Sequence, residues 1–94
     1  MFKRSIDEVF FESYLYPNPA NEQTELWINI KSNKEAKITL NDAAGRMIYQ
    51  TDTQSLFPGH HLIPIDLINI SRGCYFVNIY IDGNKQQSLK LLKM

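Results

Sequence analysis

Apolar and polar side chains alternate along most of this chain with a period of two, the spacing at which successive strand residues face opposite sides. The clearest run lies near the C-terminal end. There Tyr75, Val77, Ile79 and Ile81 alternate with Cys74, Phe76, Asn78 and Tyr80. Asp82-Gly83-Asn84 follows with turn chemistry: Gly tolerates positive φ, and Asp and Asn bond locally to the backbone. Ser88 to Lys93 returns as a last strand. Upstream, Leu26, Ile28 and Ile30 face one way and Glu25, Trp27 and Asn29 the other, which predicts a strand over 24–30. Ala36, Ile38 and Leu40 alternate with Lys37, Thr39 and Asn41 in the next. A turn over 41–45, with Gly45 in a left-handed position, leads into a strand over 46–51 and completes a hairpin. Residues 52–59 read as a polar loop, and 62–67 as a strand with Ile63, Ile65 and Leu67 inward. Pro64 places that strand at an edge or a bulge, because it cannot donate to a ladder. Residues 68–73 read as a crossing loop with Ile70 tucked into the core.

The opening is different. In Tyr14-Leu15-Tyr16-Pro17-Asn18-Pro19-Ala20-Asn21 two prolines exclude a helix interior or a central strand. The segment predicts a short edge strand followed by a turn. Ahead of it, Ser5 and Glu8 fit a capping box, with Ile6, Val9 and Phe10 at helical spacing. A short N-terminal helix and a linker from an upstream domain both fit residues 1–14. The sum is all-β: an immunoglobulin- or fibronectin-like antiparallel β-sandwich of about seven strands over residues 15–94, behind an extension or linker over 1–14.

Composition narrows the function more than the fold. Ten basic and ten acidic residues balance over 94 positions, so nothing in the charge points to nucleic acid or an anionic membrane. The single cysteine, Cys74, excludes an internal disulfide framework. No apolar run approaches the ~20 residues of a membrane-spanning helix, so membrane insertion is not expected. The start, MFKRSIDEVFFES, lacks the apolar stretch of about 7–15 residues that a secretory signal carries. Either a cytoplasmic chain or the tail of a longer protein is expected from this.

No catalytic constellation is visible. A nucleophile needs a base and an orienting acid beside it, and nothing groups Ser, Thr or Cys with His in that way. His60 and His61 are adjacent and point to opposite faces of a strand, a poor start for a metal site. Asp42 reads as a turn acceptor, Asp66 and Asp82 as isolated carboxylates at strand ends, and Cys74 as a semi-exposed structural cysteine. No cofactor, metal or catalytic residue is expected, and the chain reads as no enzyme. Trp27 falls on a polar face and reads as cover for a neighbouring loop or the N-terminal segment. With Tyr49 it is the candidate platform of an alternative, an adhesive or carbohydrate-binding module.

Four stretches carry a resemblance. They are Leu15-Tyr16-Pro17-Asn18-Pro19-Ala20-Asn21, the hairpin Leu40-Asn41-Asp42-Ala43-Ala44-Gly45-Arg46-Met47-Ile48, the run Ile65 to Tyr75 (IDLINISRGCY), and the closing Leu89-Lys90-Leu91-Leu92-Lys93. In order and spacing these are similar to the type A C-terminal sorting domain of type IX secretion cargo in Bacteroidetes. That family opens on "YPNPA", carries a "D-x-x-G-[RK]" hairpin and ends on a "K-[LIV]-[LIV]" strand. The motif residues here are Tyr16, Pro17, Asn18, Pro19, Asp42, Gly45, Asp66, Gly73 and Tyr75. Cys74 stands where the family often has an aliphatic residue.

The resemblance implies a seven-stranded sandwich that serves as an address for a cargo domain upstream of it. It implies recognition by the type IX translocon and its shuttle, removal by a surface sortase, and delivery through the periplasm to the cell surface or the medium. In that family the terminal residues matter for export, which here makes Lys90, Leu91, Leu92, Lys93 and Met94 the candidate recognition residues. Family cargo enters the periplasm behind a signal peptide, so the expectation for this chain is the tail of an exported protein. Physical patterning is compatible. Leu89 and Leu91 share one face of the last strand and Leu92 and Met94 the other, more apolar side chains than one sheet face can bury. A terminal strand with an open edge offers itself to strand addition or to a groove, with Lys90 and Lys93 guarding against aggregation.

Overall fold

A computed structural model describes residues 12–94. Eight strands follow one another: β1 (Glu12–Tyr16), β2 (Gln23–Ile30), β3 (Lys34–Asp42), β4 (Met47–Gln50), β5 (Gln54–Leu56), β6 (Gly59–Asp66), β7 (Gly73–Ile81) and β8 (Asn84–Lys93). They form two antiparallel sheets, ordered β1-β2-β6 and β4-β3-β7-β8, with β5 also on β3. The expected all-β sandwich is the fold observed, consistent with an immunoglobulin-like arrangement. The N-terminal helix considered for residues 5–10 lies outside the described residues.

Alternation places the core. Leu15, Leu26 and Ile63 lie side by side across the three-stranded sheet. Leu40, Val77 and Leu89 do so across the other, as do Tyr75 and Leu91. The inward rows, with Ile28, Ile30, Ile38, Ile65, Leu67, Ile79 and Ile81, are buried in one cluster. Each fully buried aliphatic side chain contributes roughly 1.5–3 kcal/mol, which is what holds the two sheets together. Tyr75 is the exception in chemistry. Its ring is buried, and its hydroxyl donates to the Ser71 carbonyl at 2.6 Å, which ties the crossing loop to the start of β7. That is the tyrosine-corner arrangement of immunoglobulin-like sandwiches.

Turn chemistry closes the longest hairpin. Asp82 and Gly83 have φ of 51° and 86°, and Ile81 pairs with Asn84. Two positive φ values make the two-residue turn whose twist matches the strands. Strand β8 therefore starts at Asn84, four residues before the apolar alternation does. Lys85-Gln86-Gln87 has no alternating signal, yet the ladder runs through it, with a register shift opposite Ile79 and Tyr80. The other difference is β5. Residues 52–59 read as loop, but Gln54–Leu56 pairs with Lys34–Ala36, and Leu56 is buried. A three-residue strand is too short to show a period. Pro64 does sit on an edge strand, β6, and Ile70 is partly buried against the core.

Candidate recognition site at the terminal strand

Strand β8 is an edge of the five-stranded sheet, with β7 as its only strand neighbour among the described elements. Alternate residues of an edge strand turn both backbone polar groups away from the ladder. Here the opening segment meets them. The Asn18 side chain donates from Nδ2 to the Lys90 carbonyl at 2.8 Å and accepts from the Leu92 N–H at 3.0 Å. The Ala20 N–H donates to the Leu92 carbonyl, and the Met94 N–H donates to the Ala20 carbonyl, both at 2.8 Å. Ala20 and Lys93 form a parallel bridge. One carboxamide and one residue of backbone thus take the place of a ninth strand. Thr24, buried in β2, holds the segment from beneath by donating to the Pro17 carbonyl at 2.7 Å. The edge expected to be open is covered over residues 90–94. Further up β8, Ser13 Oγ donates to Gln87 Oε1.

The five candidate residues divide by face. Leu91 is 0% exposed and belongs to the core, with Leu89 partly buried beside it. Lys93 is half-buried. Lys90 is exposed, Leu92 is 41% exposed and Met94 56%. The register sets their neighbours on the outer face of the sheet. Met47, Asn41, Phe76 and Lys90 form one cross-strand row, and Cys74 and Leu92 the next. Farther along that face, buried Asn78 donates to Asn41 Oδ1 at 3.1 Å and Thr39 Oγ1 at 3.3 Å, so its centre is polar and satisfied.

The remaining motif residues build turns. Asp42 Oδ1 accepts from the N–H groups of Ala44 (3.0 Å) and Arg46 (2.8 Å), and Oδ2 accepts from Arg46 Nε (3.0 Å) and a terminal guanidinium nitrogen (2.9 Å). Gly45 has φ of 93°, a conformation that costs a residue with a Cβ. Asp66 Oδ1 accepts from the Ile68 N–H at 3.0 Å and starts the crossing loop. Gly73, with φ of 153°, opens β7, where an added Cβ would lie 3.7 Å from the Tyr75 ring. Tyr16 is exposed and pairs with Glu25. Asp82 is not isolated. It accepts from the Glu35 N–H at 2.9 Å and lies 3.7 Å from Lys34 Nζ.

The Arg46 backbone N–H is the main cause that holds the Asp42 carboxyl below its ordinary value of 3.8, against partial desolvation, and the Arg46 guanidinium helps. A carboxyl with a lower folded-state value stabilises the fold above the ordinary value and loses that contribution as pH falls through the folded value. Asp42→Asn, which cannot ionise, is expected to flatten the fall in melting temperature between roughly pH 5 and pH 2.5, measured by circular dichroism at each pH. Parallel pH curves for the two proteins would refute the role.

The aromatic candidates do not form a common platform. Trp27 lies on the outer face of the three-stranded sheet, stacked on Tyr14 with ring centres 5.9 Å apart and planes 6° from parallel. Tyr49 pairs with Leu40 and packs on the inner side of the other sheet, where burial, and secondarily Asp66, pushes its phenol up. His60 and His61 sit opposite Asn29 and Ile28 on different faces, and His61 Nε2 lies 2.6 Å from the Phe57 carbonyl oxygen. Among the described residues no group of three metal-ligating side chains occurs. The pairing of Asn18 and Ala20 with β8 escapes sequence reading, as does the pairing of Cys74 with Leu92 and of Phe76 with Lys90. Only the register brings these positions together.

Comparisons with known proteins agree with the geometry. Residues 14–94 match the family model described as "Secretion system C-terminal sorting domain". No curated protein sequence matches the chain. Its fold is similar to part of the crystal structure of dimeric latent PorU from Porphyromonas gingivalis, with a TM-score of 0.69 and 17% identity over 89% of this chain. It is also similar, at TM-score 0.52 and 13% identity over 89% of the chain, to part of the Pseudomonas fluorescens alkylpurine DNA glycosylase AlkC, solved on DNA with an abasic site analog. The chain spans 9% of the first protein and 30% of the second, and at these identities the likeness is one of fold.

Proposed function

The chain belongs to the secretion system C-terminal sorting domains, and from that premise we propose that it is the non-catalytic address of a type IX secretion cargo. In this reading the translocon and its shuttle recognise the folded sandwich, and a surface sortase separates it from a cargo domain upstream. The cargo is thereby delivered to the cell surface or the medium. The observation that carries the reading is the terminal strand. Leu91 anchors it in the core, Asn18 and Ala20 fasten its edge, and the motif residues at the start and end of the domain are thus joined. A motif pair 70 or more residues apart that closes one structure is what a compact, self-contained signal requires.

The test is a periplasmic reporter carrying a secretory signal, with and without residues 1–94 fused to its C-terminus, expressed in a type IX-competent bacterium. Surface or extracellular reporter only with the domain attached is the expected result. Retention of both proteins in the periplasm would sink the reading. A second reading, an adhesive or packing module, has one observation in its favour: Tyr14, Trp27 and Leu62 form an outer-face row in which Tyr14 and Leu62 are exposed. A glycan screen in which the parent binds and Trp27→Ala does not would favour it.

A further inference from the structure

The three-stranded sheet presents a contiguous apolar surface on its outer face. Register sets Tyr14, Trp27 and Leu62 side by side on β1, β2 and β6, and Tyr16, Glu25 and Pro64 side by side in the next row of the same face. Tyr14, Tyr16 and Leu62 are 55, 65 and 43% exposed, and Pro64 is exposed beside them. Two polar groups lie within this surface without partners. The Trp27 indole N–H is buried and has no acceptor among the described residues, although buried polar groups are ordinarily hydrogen-bonded. The half-buried Glu25 carboxylate has neither an ion pair nor a hydrogen bond among the described residues. An acceptor and a cation are what this face lacks.

Size, reach and charge specify the occupant. Three strands span about 10 Å at their ~4.8 Å spacing, the width of one chain segment. The eleven residues ahead of Glu12, MFKRSIDEVFF, start from the face itself, because Glu12 lies in its first outer row with Asn29 and His60. The row of Glu25 lies two rows on, about 14 Å along the strands. Arg4 stands eight residues before Glu12, a separation that covers about 26 Å extended and about 12 Å as helix, and its long side chain adds to both. Lys3 and Arg4 supply cations for a carboxylate ringed by aromatic side chains, and Phe2, Ile6, Val9 and Phe10 supply apolar surface. Backbone carbonyls of the segment supply the acceptor. A second copy of the chain is a worse match: two-fold pairing of so small a face sets Glu25 near its own copy, and like charges repel.

We propose that residues 2–11 fold back over the outer face of β1-β2-β6, with Lys3 and Arg4 against Glu25 and with Phe2, Ile6, Val9 and Phe10 on Tyr14, Trp27 and Leu62. The face is thereby filled from within the chain and is not free for a sugar or another protein. The docking holds whether or not the sandwich serves as a sorting address, since it rests on the domain's own surface and its own charges.

Trp27 is the only tryptophan, so the fluorescence of the full chain reads this face directly. Replacing Lys3→Glu and Arg4→Glu together is expected to raise the acrylamide quenching constant of Trp27 by about twofold or more and to move its emission to longer wavelength, as loss of an ion pair worth up to about 1 kcal/mol does to a docked segment. Ile6→Asp should act in the same direction, with the sandwich shown to be folded by circular dichroism. Glu25→Arg alone should also raise quenching. Combined with Lys3→Glu and Arg4→Glu it should return quenching towards the parent value, a rescue that mere damage to the fold would not give. Parent-level quenching in both segment variants would overturn the docking. Protection of Trp27 that rises with protein concentration and is lost in Leu62→Glu would give the face to a second copy and overturn it as well. Protection that appears only when a glycan is added would give the face to a sugar, with the same consequence.

Discussion

Leu91→Ala is expected to destabilise the domain by about 3 kcal/mol, the usual cost of cutting a buried leucine to alanine where the surroundings cannot collapse into the gap. The side chain is fully buried opposite Tyr75, between the β7–β8 ladder and the inner row of the three-stranded sheet. For a domain of this size the loss corresponds to a melting temperature lower by roughly 12–24 °C. Leu92→Ala, one residue on and on the other face, should cost less than about 1 kcal/mol, because much of the side chain is already in water. The pair is the cleanest check on the register of the last strand. A one-residue slip would exchange the two faces, and with them the two effects. Thermal unfolding followed by circular dichroism measures both. Equal losses in the two variants would mean that the terminal strand is not docked as described.

Removing residues 90–94 is expected to do more than delete a signal. The truncated chain loses Leu91 from the core, worth about 3 kcal/mol. It loses the four hydrogen bonds that Asn18 and Ala20 make to β8, worth about 0.5–1.5 kcal/mol each. It also loses the ladder from β8 to Gly73–Phe76. Against a total stability of about 5–14 kcal/mol for a chain of this length, these losses leave little or nothing. The expected result is a domain without a cooperative melting transition at 37 °C, with amide protection lost in β7 as well as in the opening segment. A truncated domain that melts within a few degrees of the parent would contradict this. Export of a reporter carrying the truncated domain should also fail, because the fold is lost together with the terminal residues.

Much of the fold was legible because the core is built on period-two alternation. Leu26-Ile28-Ile30, Ile38-Leu40 and Val77-Ile79-Ile81 each announce a strand and its inward face without help from neighbours. Asp82-Gly83 announces its turn for an equally local reason: few residue pairs accept two consecutive positive φ values. Strand β5 and the first half of β8 were illegible because their pairing partners, not their own patterns, make them strands. The candidate site was half legible. Lys90–Met94 stood out as a terminal strand with surplus leucines, and the Asn18 motif stood out for its prolines, but nothing local connects the two. Sequence reading therefore left the β8 edge open where the fold covers it.

The sequence by itself determined an all-β sandwich, its inward rows, its turns, and the family pattern that points to a secretion address. It could do so because alternation, positive φ and proline geometry act over a few residues and leave their mark in the local string. Only the tertiary structure decided which terminal side chains are core and which are presented. It alone set Asn18 and Ala20 against the last strand, and placed Cys74 beside Leu92 and Phe76 beside Lys90. Those facts depend on register and strand order, which arise from contacts between residues far apart in the chain and have no local signature.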